Sequence, residues 1–312
     1  MNRVASIIHL EEAKKQKLTG KGIGIAVLDT GIGYHPDLFS APNTMDGPLV
    51  YFLDLLKHQE KYYDDNGHGT HIAGILAGNG NNSNGLYQGI APNVHLISIK
   101  VLNKNGEGHI RHVLEAIQWI LKHHKEYQIR IVNISIGSSY GKNFDENSPL
   151  VQGVNQLWSA GLIVLTAAGN RGPAPGSIGA PGNSRKIITV GSSDPLQYQL
   201  STDYSSRGPT ESCIKKPDIV APGSRIISCH PVNSTLSAMS HGIRLGSSYK
   251  ARSGTSMSTP IVSGCIALLL EKYPHLSNKD VKLRLRNTAL DLGYEHTRQG
   301  WGLIQCDRFL NL

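Results

Sequence analysis

Apolar residues in this chain fall mainly into short, almost uninterrupted runs that are separated by polar and glycine-rich segments. An apolar run of strand length with no polar alternation predicts a β-strand that is buried on both faces, as in a parallel sheet. The runs are bounded by residues that favour turns. Strands are therefore predicted over residues 23–28, 94–102, 130–136, 161–168 and 187–190, with a strand end at 218–223.

Between these runs, apolar residues recur at helical spacing. Val113, Leu114 and Ile117 follow Ile110 by three, four and seven positions, which predicts an amphipathic helix over residues 109–124. Further helices are predicted over residues 5–18, 67–78, 150–160 and 254–273, and a last one begins at the capping box from Ser277 to Asp280 and ends near residue 287.

The alternation of strands and helices predicts an α/β fold. Three layers are expected, in which helices cover both faces of a doubly wound, mostly parallel β-sheet. Residues 34–66 and 230–252 show no clear period and are predicted to be loops. No internal repeat, low-complexity tract or linker interrupts the pattern, so residues 1–312 are expected to form one domain.

Composition and charge narrow the classes of function. The formal net charge is +8, but Lys and Arg are scattered and aromatic residues are few, so no nucleic-acid partner is expected. No run of about eighteen apolar residues occurs, so no membrane span is expected either. The first residues lack an apolar segment typical of a signal peptide, and the four cysteines are widely spaced. A cytoplasmic location with free thiols is therefore expected.

Side chains that can carry chemistry follow several predicted strands and turns. Asp29 ends the first strand, His68 lies in a glycine-rich turn, and Asn170 follows a later strand. Ser256 lies where a turn leads into an apolar helix, whose first backbone N–H groups lack partners. A carboxylate, an imidazole and a hydroxyl are the groups that acyl transfer by a serine requires. Taken alone, Thr255 and Ser256 are equally typical of a helix cap.

Four motifs resemble those of the subtilisin-like serine proteases. They follow one another in that family's order, Asp then His then Ser, and the resemblance extends from about residue 4 to about residue 310. Within the family, residues 79–92 and the long loop before residue 253 resemble the bacterial intracellular alkaline-protease branch. The motifs are VLDTG with HPDL (27–31 and 35–38), NGHGTH (66–71), AGN (168–170) and GTSMSTP (254–260).

The resemblance implies a serine endopeptidase that cleaves peptide or protein substrates through an acyl-enzyme. It implies that Ser256 is the nucleophile, that His68 is the general base and acid, and that Asp29 orients His68. Asn170 and the backbone N–H of Ser256 are implied as donors to the oxyanion. Substrate is expected to bind as an added β-strand. The implied substrate-binding residues are Gly106, Glu107, Gly108, Ser135, Ile136, Gly137, Ala168 and Gly169.

The chain departs from the common family pattern in three places, and the resemblance has further implications for ions and for one peptide bond. Ser258 and Ile261 stand where many members have Ala and His, and we expect these changes to be tolerated. No propeptide is evident, and residues 79–89 lack the pattern of the family's high-affinity calcium loop. The resemblance thus implies no cofactor for the chemistry, and leaves a structural calcium ion and the oligomeric state open. It also implies a cis peptide bond before Pro181.

Two other interpretations of the whole chain remain open. A catalytically silent member of the family would act as a binding or regulatory protein, although its usual mark is a substituted triad residue. A maturation protease with one narrow substrate would share the chemistry. Near the expected pocket, Arg171 is hypothesised to repel basic substrate side chains and Glu107 to attract them further along the peptide.

Some individual residues also allow a second interpretation. An aspartic protease would need two Asp-Thr-Gly segments, and the chain has only the one at Asp29. His68 and His71 resemble half of a metal motif, but its glutamate is missing. His71 is therefore expected to pack or to hydrogen-bond within its helix, and Asp64 and Asp65 to solvate a turn.

Overall fold

Seven parallel strands form the central sheet of the computed structural model, which describes residues 1–136, 148–194, 203–210, 212–232, 244–245 and 248–311. Every pair of neighbouring strands is parallel, and the interior strands are buried along their length, as their continuous apolar runs predict. The predicted α/β fold is thereby confirmed. Across the sheet the strands are β2 (Leu49–Asp54), β3 (His95–Lys100), β1 (Gly24–Asp29), β4 (Ile129–Ile134), β5 (Ile163–Ala167), β6 (Ile188–Ser192) and β7 (Ile219–Ala221).

Helices surround this sheet, and the longest of them lies at its centre. That helix, α6, packs against β4, β5 and β6, and its residues 257–270 are all buried, so it is apolar or small on every side. No described helix is both long enough and apolar enough to cross a membrane. The described helices are α1 (Asn2–Ile7), α2 (Glu11–Lys15), α3 (His68–Ala77), α4 (Ile110–His123), α5 (Pro149–Ser159), α6 (Thr255–Lys272), α7 (Asn278–Thr288), α8 (His296–Gln299) and α9 (Cys306–Leu310).

The N-terminal segment differs from the single helix predicted over residues 5–18. It forms α1 and α2, separated by a turn in which His9 has a φ of 54°. The N–H of Leu10 bonds to the carbonyl of Ala5 and that of His9 to the carbonyl of Ser6, a pattern that ends a helix. Leu10 is buried by this turn, so packing outweighs the helical spacing.

Two segments predicted to be loops contain strands. Within residues 34–66, β2 pairs with β3 at the edge of the sheet and is only partly buried, which weakens its apolar signal. Within residues 230–252, β9 and β10 join β8 in a small antiparallel sheet. Both predictions of irregular structure were wrong there, because short and half-exposed strands lack a long apolar run. These strands are β8 (Ile226–Cys229), β9 (Arg244–Leu245) and β10 (Tyr249–Arg252).

Two local predictions are confirmed. The peptide bond between Ala180 and Pro181 is cis. At the start of α7, the Ser277 hydroxyl accepts from the N–H of Asp280, and the Asp280 carboxylate accepts from the N–H of Ser277 at 3.0 Å. This capping box satisfies N–H groups that otherwise have no partner within the helix.

Replacing Ser277 by Ala is therefore expected to lower the free energy of unfolding by about 1 kcal/mol, the usual loss when a serine cap is removed. The measurement is the urea midpoint at constant slope. Lys279 is exposed in the same turn, so Lys279→Ala is the matched control and should leave the midpoint unchanged. Equal effects of the two changes would contradict the role of the cap.

Candidate active site

Asp29 and His68 are brought together by the end of β1 and the start of α3. The carboxylate of Asp29 is almost fully buried, and its Oδ1 accepts from the backbone N–H of Thr30 at 2.8 Å. The same oxygen lies 2.7 Å from Nδ1 of His68. Because the carboxylate is an acceptor, Nδ1 carries the proton, and Nε2 is left as the basic nitrogen of the imidazole.

Ser256 lies in the first turn of α6, opposite His68. Its hydroxyl donates to the carbonyl of Ser135 at 2.9 Å. Ser256, His68 and Asn170 line one cavity of about 360 Å³, which we call the triad cavity. For acyl transfer the hydroxyl must leave Ser135 and donate to Nε2 across this cavity, a contact that commonly tightens only when substrate is bound.

Pro260 gives the first turn of α6 a special connection to β4. A proline has no N–H, so the carbonyl four residues earlier, that of Ser256, receives no helical hydrogen bond from it. The Ser135 hydroxyl donates to this carbonyl at 3.2 Å instead. Ser135 thus contacts both the hydroxyl and the backbone of Ser256, and it fixes the helix start against the sheet.

Asn170 is oriented by Thr255. Its Oδ1 accepts from the N–H of Thr255 at 2.9 Å and lies 3.1 Å from the Thr255 hydroxyl. Because the oxygen faces these donors, the NH₂ group of the amide is the part that faces the triad cavity. The Thr255 side chain also accepts from the N–H of Gly169 at 3.1 Å. The amide and the N–H groups at the start of α6 therefore form a suitable set of donors for an oxyanion.

A larger cleft begins at His68 and extends away from the triad cavity. Its volume is about 820 Å³, and we call it the main cleft. It is lined by five of the predicted substrate-binding residues, and by apolar side chains such as Leu102, Ile134 and Leu150. An extended peptide with apolar side chains fits such a surface. The five residues are Gly106, Glu107, Gly108, Ser135 and Ile136.

The other three predicted substrate-binding residues are placed differently. Ala168 and Gly169 follow β5 and lie beside Asn170, where the N–H of Ala168 bonds to the carbonyl of Val190. Neither residue is part of the lining of the main cleft. Gly137 lies outside the described residues.

Comparison with known proteins agrees with this geometry. A model of the subtilase family matches residues 20–302.

The chain belongs to the subtilase family.

Three relatives illustrate the range of similarity. Serine protease AprX of Bacillus subtilis (strain 168) is 43% identical over 281 residues, which are 87% of this chain and 62% of that protein. Thermostable alkaline protease of Halalkalibacterium halodurans is 34% identical over 303 residues, 97% of this chain and 72% of that protein. Subtilisin Savinase of Lederbergia lenta is 33% identical over 302 residues, 97% of this chain and 96% of that protein. The chain thus spans less than two thirds of AprX but nearly all of Savinase.

Asp64 organises this subtilase site, although the sequence suggested only a solvated turn. Its carboxylate is buried and has five hydrogen-bond donors. Oδ1 accepts from the Thr30 hydroxyl and from the N–H groups of Asn66 and Gly67, and Oδ2 accepts from the N–H and hydroxyl of Thr70. Asp64 therefore connects the residue after Asp29 to both sides of His68. No periodic pattern marks this role.

Lys100 is a second residue that sequence analysis missed. Its side chain is fully buried at the end of β3, and Nζ donates to the carbonyls of Thr30 and Leu102 at 2.6 and 2.9 Å. Nζ also pairs with Asp65 at 2.6 Å. The ammonium group thus fixes the backbone directly after Asp29, and Asp65 provides the countercharge that burial requires.

His71 connects α3 to the small antiparallel sheet. It is fully buried, and Nε2 lies 3.0 Å from the carbonyls of both Ile226 and Lys250. Hydrogen bonding was expected, but the partners lie on β8 and β10 rather than in the same helix. Burial, together with the nearby charges of Arg252 and His68, holds the pKa of His71 well below its usual value. The imidazole is therefore neutral, with its proton on Nε2.

Among the described residues, one group has the chemistry of a metal site. Ligand atoms of His35, Asp37 and Cys229 all lie within 4.8 Å of one another. However, the two oxygens of Asp37 accept from the N–H of Asn82 and the hydroxyl of Tyr249, and Nδ1 of His35 accepts from the N–H of Asp37. Burial also raises the pKa of the Cys229 thiol, which disfavours the thiolate that a metal requires. Both oxygens of Asp37 and Nδ1 of His35 are thus used within the protein, only Nε2 of His35 is without a partner among the described residues, and the group does not fit a resident ion.

Replacing Asn170 by Ala is expected to lower kcat by about 10²–10³, with little change in KM. This magnitude is the one already known for the side-chain oxyanion donor of subtilisin. The amide stabilises charge that exists only in the transition state, so its loss should appear in kcat. Steady-state kinetics on a peptide substrate provide the measurement. A change confined to KM would contradict the assignment.

The neutral state of His71 predicts a pH dependence of stability. Its pKa is lowered on folding, so below about pH 6.5 the unfolded chain binds a proton that the folded chain does not. Stability should thus fall with decreasing pH by up to about 1.4 kcal/mol per unit from this group, and not change above pH 6.5. His71→Gln keeps an N–H donor but cannot bind a proton. Its stability should therefore lack the fall between pH 6.5 and 5 that His71 causes in wild type. Parallel curves of stability against pH for wild type and His71→Gln would contradict this role of His71.

Proposed function

We propose that the protein is a serine endopeptidase that hydrolyses peptide bonds through an acyl-enzyme. The observation that carries the proposal is the bond from His68 to the buried Asp29, in a cavity shared with Ser256 and Asn170. These groups supply a nucleophile, a base with a defined tautomer and an oxyanion donor, and each is on a different element of the fold. Family membership supports the same chemistry.

The acylation step follows from the positions of these groups. Nε2 of His68 takes the proton of Ser256 as Oγ attacks the substrate carbonyl, and Asp29 stabilises the imidazolium that results. The negative oxygen of the tetrahedral intermediate accepts from the amide of Asn170 and from the N–H of Ser256. His68 then returns the proton to the departing nitrogen, which breaks the peptide bond and leaves an ester on Ser256.

Deacylation repeats the same steps with water as the nucleophile. His68 takes a proton from the water, the oxyanion is stabilised by the same donors, and the proton goes back to the oxygen of Ser256. The acid product leaves and the hydroxyl is restored. Ser256 is the nucleophile of the first half and the leaving group of the second, and His68 and Asn170 act in both, so one set of residues is sufficient for turnover.

Substrate binding is proposed to occur in the main cleft. The peptide before the scissile bond lies as an added strand between residues 106–108 and 135–136, where backbone groups provide affinity and side-chain pockets provide selectivity. The apolar lining by Leu102, Ile134 and Leu150 favours apolar side chains in this part of the substrate. Ala168 and Gly169 are proposed to border the position immediately before the cut.

Two further features belong to the proposal. The chemistry uses side chains and backbone groups of the chain alone, and no metal takes part in a step. A structural calcium ion is left open by the resemblance, and no step of the proposed chemistry uses one. A cytoplasmic location is proposed because all four cysteines are free thiols. Cys265 and Cys306 illustrate this, since their buried sulfur atoms lie 3.1 Å apart in a hydrogen bond and form no disulfide.

The experiment that tests the function is labelling with a fluorophosphonate probe, followed by casein hydrolysis. Wild type should become labelled and should cleave casein, and Ser256→Ala should do neither while retaining its circular dichroism spectrum. Ser258→Ala, two residues further along α6, is the matched control and should be labelled. A folded wild type that takes no label would contradict the enzyme and favour the silent binding protein.

A further inference from the structure

Arg252 places a positive charge next to the triad. It is the last residue of β10, four positions before Ser256, and its side chain lines both the main cleft and the triad cavity. His68 is the other residue in the lining of both spaces. The guanidinium therefore lies where a substrate passes from one cavity into the other.

The hydrogen-bonding capacity of Arg252 is largely unused. Nη2 donates to the carbonyl of Asn66 at 3.3 Å, and Nε is buried without a partner. A guanidinium has five N–H donors, and burying one without an acceptor costs free energy. In the described part of the chain, no acidic side chain lies within ion-pair distance of Arg252.

The nearest carboxylates form no ion pair with Arg252, although Oδ2 of Asp29 is itself buried without a partner. Asp64 and Asp29 are the acids whose charges act on Arg252, and they oppose the effect of burial, which lowers its pKa. Asp64 has five donors from hydroxyl and backbone groups, and Oδ1 of Asp29 is bonded to His68 and Thr30. Neither carboxylate lies within ion-pair distance of the guanidinium. Arg252 is thus a cation with N–H groups that can bind an acceptor from outside the chain.

The position of the triad cavity indicates which part of a substrate reaches it. The main cleft holds the peptide before the scissile bond, along residues 106–108 and 135–136. The triad cavity is lined by none of these segments but by residues such as Ala251, Ser253 and Met257. His68 delivers its proton to the departing nitrogen, so the cavity on its other side receives the residues that follow the cut.

We propose that Arg252 forms an anion-binding subsite that selects peptides with Asp or Glu immediately after the scissile bond. The proposal rests on the proposed endopeptidase activity and names part of its substrate class. A guanidinium binds a carboxylate through two parallel N–H···O bonds, which satisfies donors that are otherwise unpaired. Partial exclusion of water by the cavity strengthens the pair. The net charge of +8 attracts acidic substrates in the same direction.

The test uses three fluorogenic peptides that differ only in the residue after the cleaved bond, which is Glu, Gln or Lys. Wild type should show a kcat/KM about tenfold higher for Glu than for Gln, and lower still for Lys. Arg252→Met should bring the ratio of Glu to Gln close to one, Arg252→Glu should favour Lys, and Arg252→Lys should keep part of the preference. The wild-type ratio should also fall as salt is added.

The controls separate this proposal from the proposed function. Arg308→Met removes the same charge from an exposed site on α9 and should leave the ratio as in wild type. Fluorophosphonate labelling reports an intact triad in every variant, so failure of labelling in wild type defeats the function itself. If a variant does not fold, the salt dependence of the wild-type ratio still decides. A wild-type ratio near one, an unchanged ratio in Arg252→Met, or a preference located before the cut would overturn the subsite.

Discussion

The hydrogen bonds of Asp64 are the constraint on which the site depends. A buried carboxylate must have its charge compensated, and here five donors from the segments around Asp29 and His68 do so. The chain must come very close to itself for this to happen. A side chain on Gly31 would lie 2.1 Å from the carbonyl of Tyr63, and one on Gly69 would lie 2.0 Å from the carbonyl of Gly31. The 2.7 Å contact between His68 and Asp29 is a consequence of this closely packed turn.

The serine side of the site is organised from the start of α6. Thr255 orients the amide of Asn170 and accepts from Gly169, so a single side chain aligns the end of β5 with the helix. Pro260 frees the carbonyl of Ser256, which Ser135 then uses to hold the same helix against β4. Residues 257–270 of the helix are all buried, so the helix start is anchored in the core. The catalytic groups are therefore as rigid as the sheet to which they are attached.

The sequence predicted only those parts of the site that leave a pattern among neighbouring residues. Continuous apolar runs identified β1 and β5, and their polar ends identified Asp29 and Asn170, because burial on both faces leaves a pattern in the sequence. The roles of Asp64 and Arg252 leave no such pattern. Four of the five donors to Asp64 lie within six positions of it but follow no periodic pattern. Arg252 instead meets Asn66 across 186 positions. The short strands β9 and β10 were missed because only pairing defines them, β10 with β8 and β9 with β10.

Charge balance explains why one group near the triad is left without a counterion. Lys100 is paired with Asp65, so these two charges meet within the protein, and Asp29 is hydrogen-bonded to the imidazole of His68. Asp64 is stabilised by hydrogen bonds from neutral groups and not by a cation. Its negative charge therefore still acts on the neighbouring guanidinium of Arg252 without a direct bond. Arg252 is stabilised enough to remain charged in a partly buried place, yet it retains N–H groups that no acid has taken. The guanidinium therefore places a positive charge where the main cleft and the triad cavity share their lining.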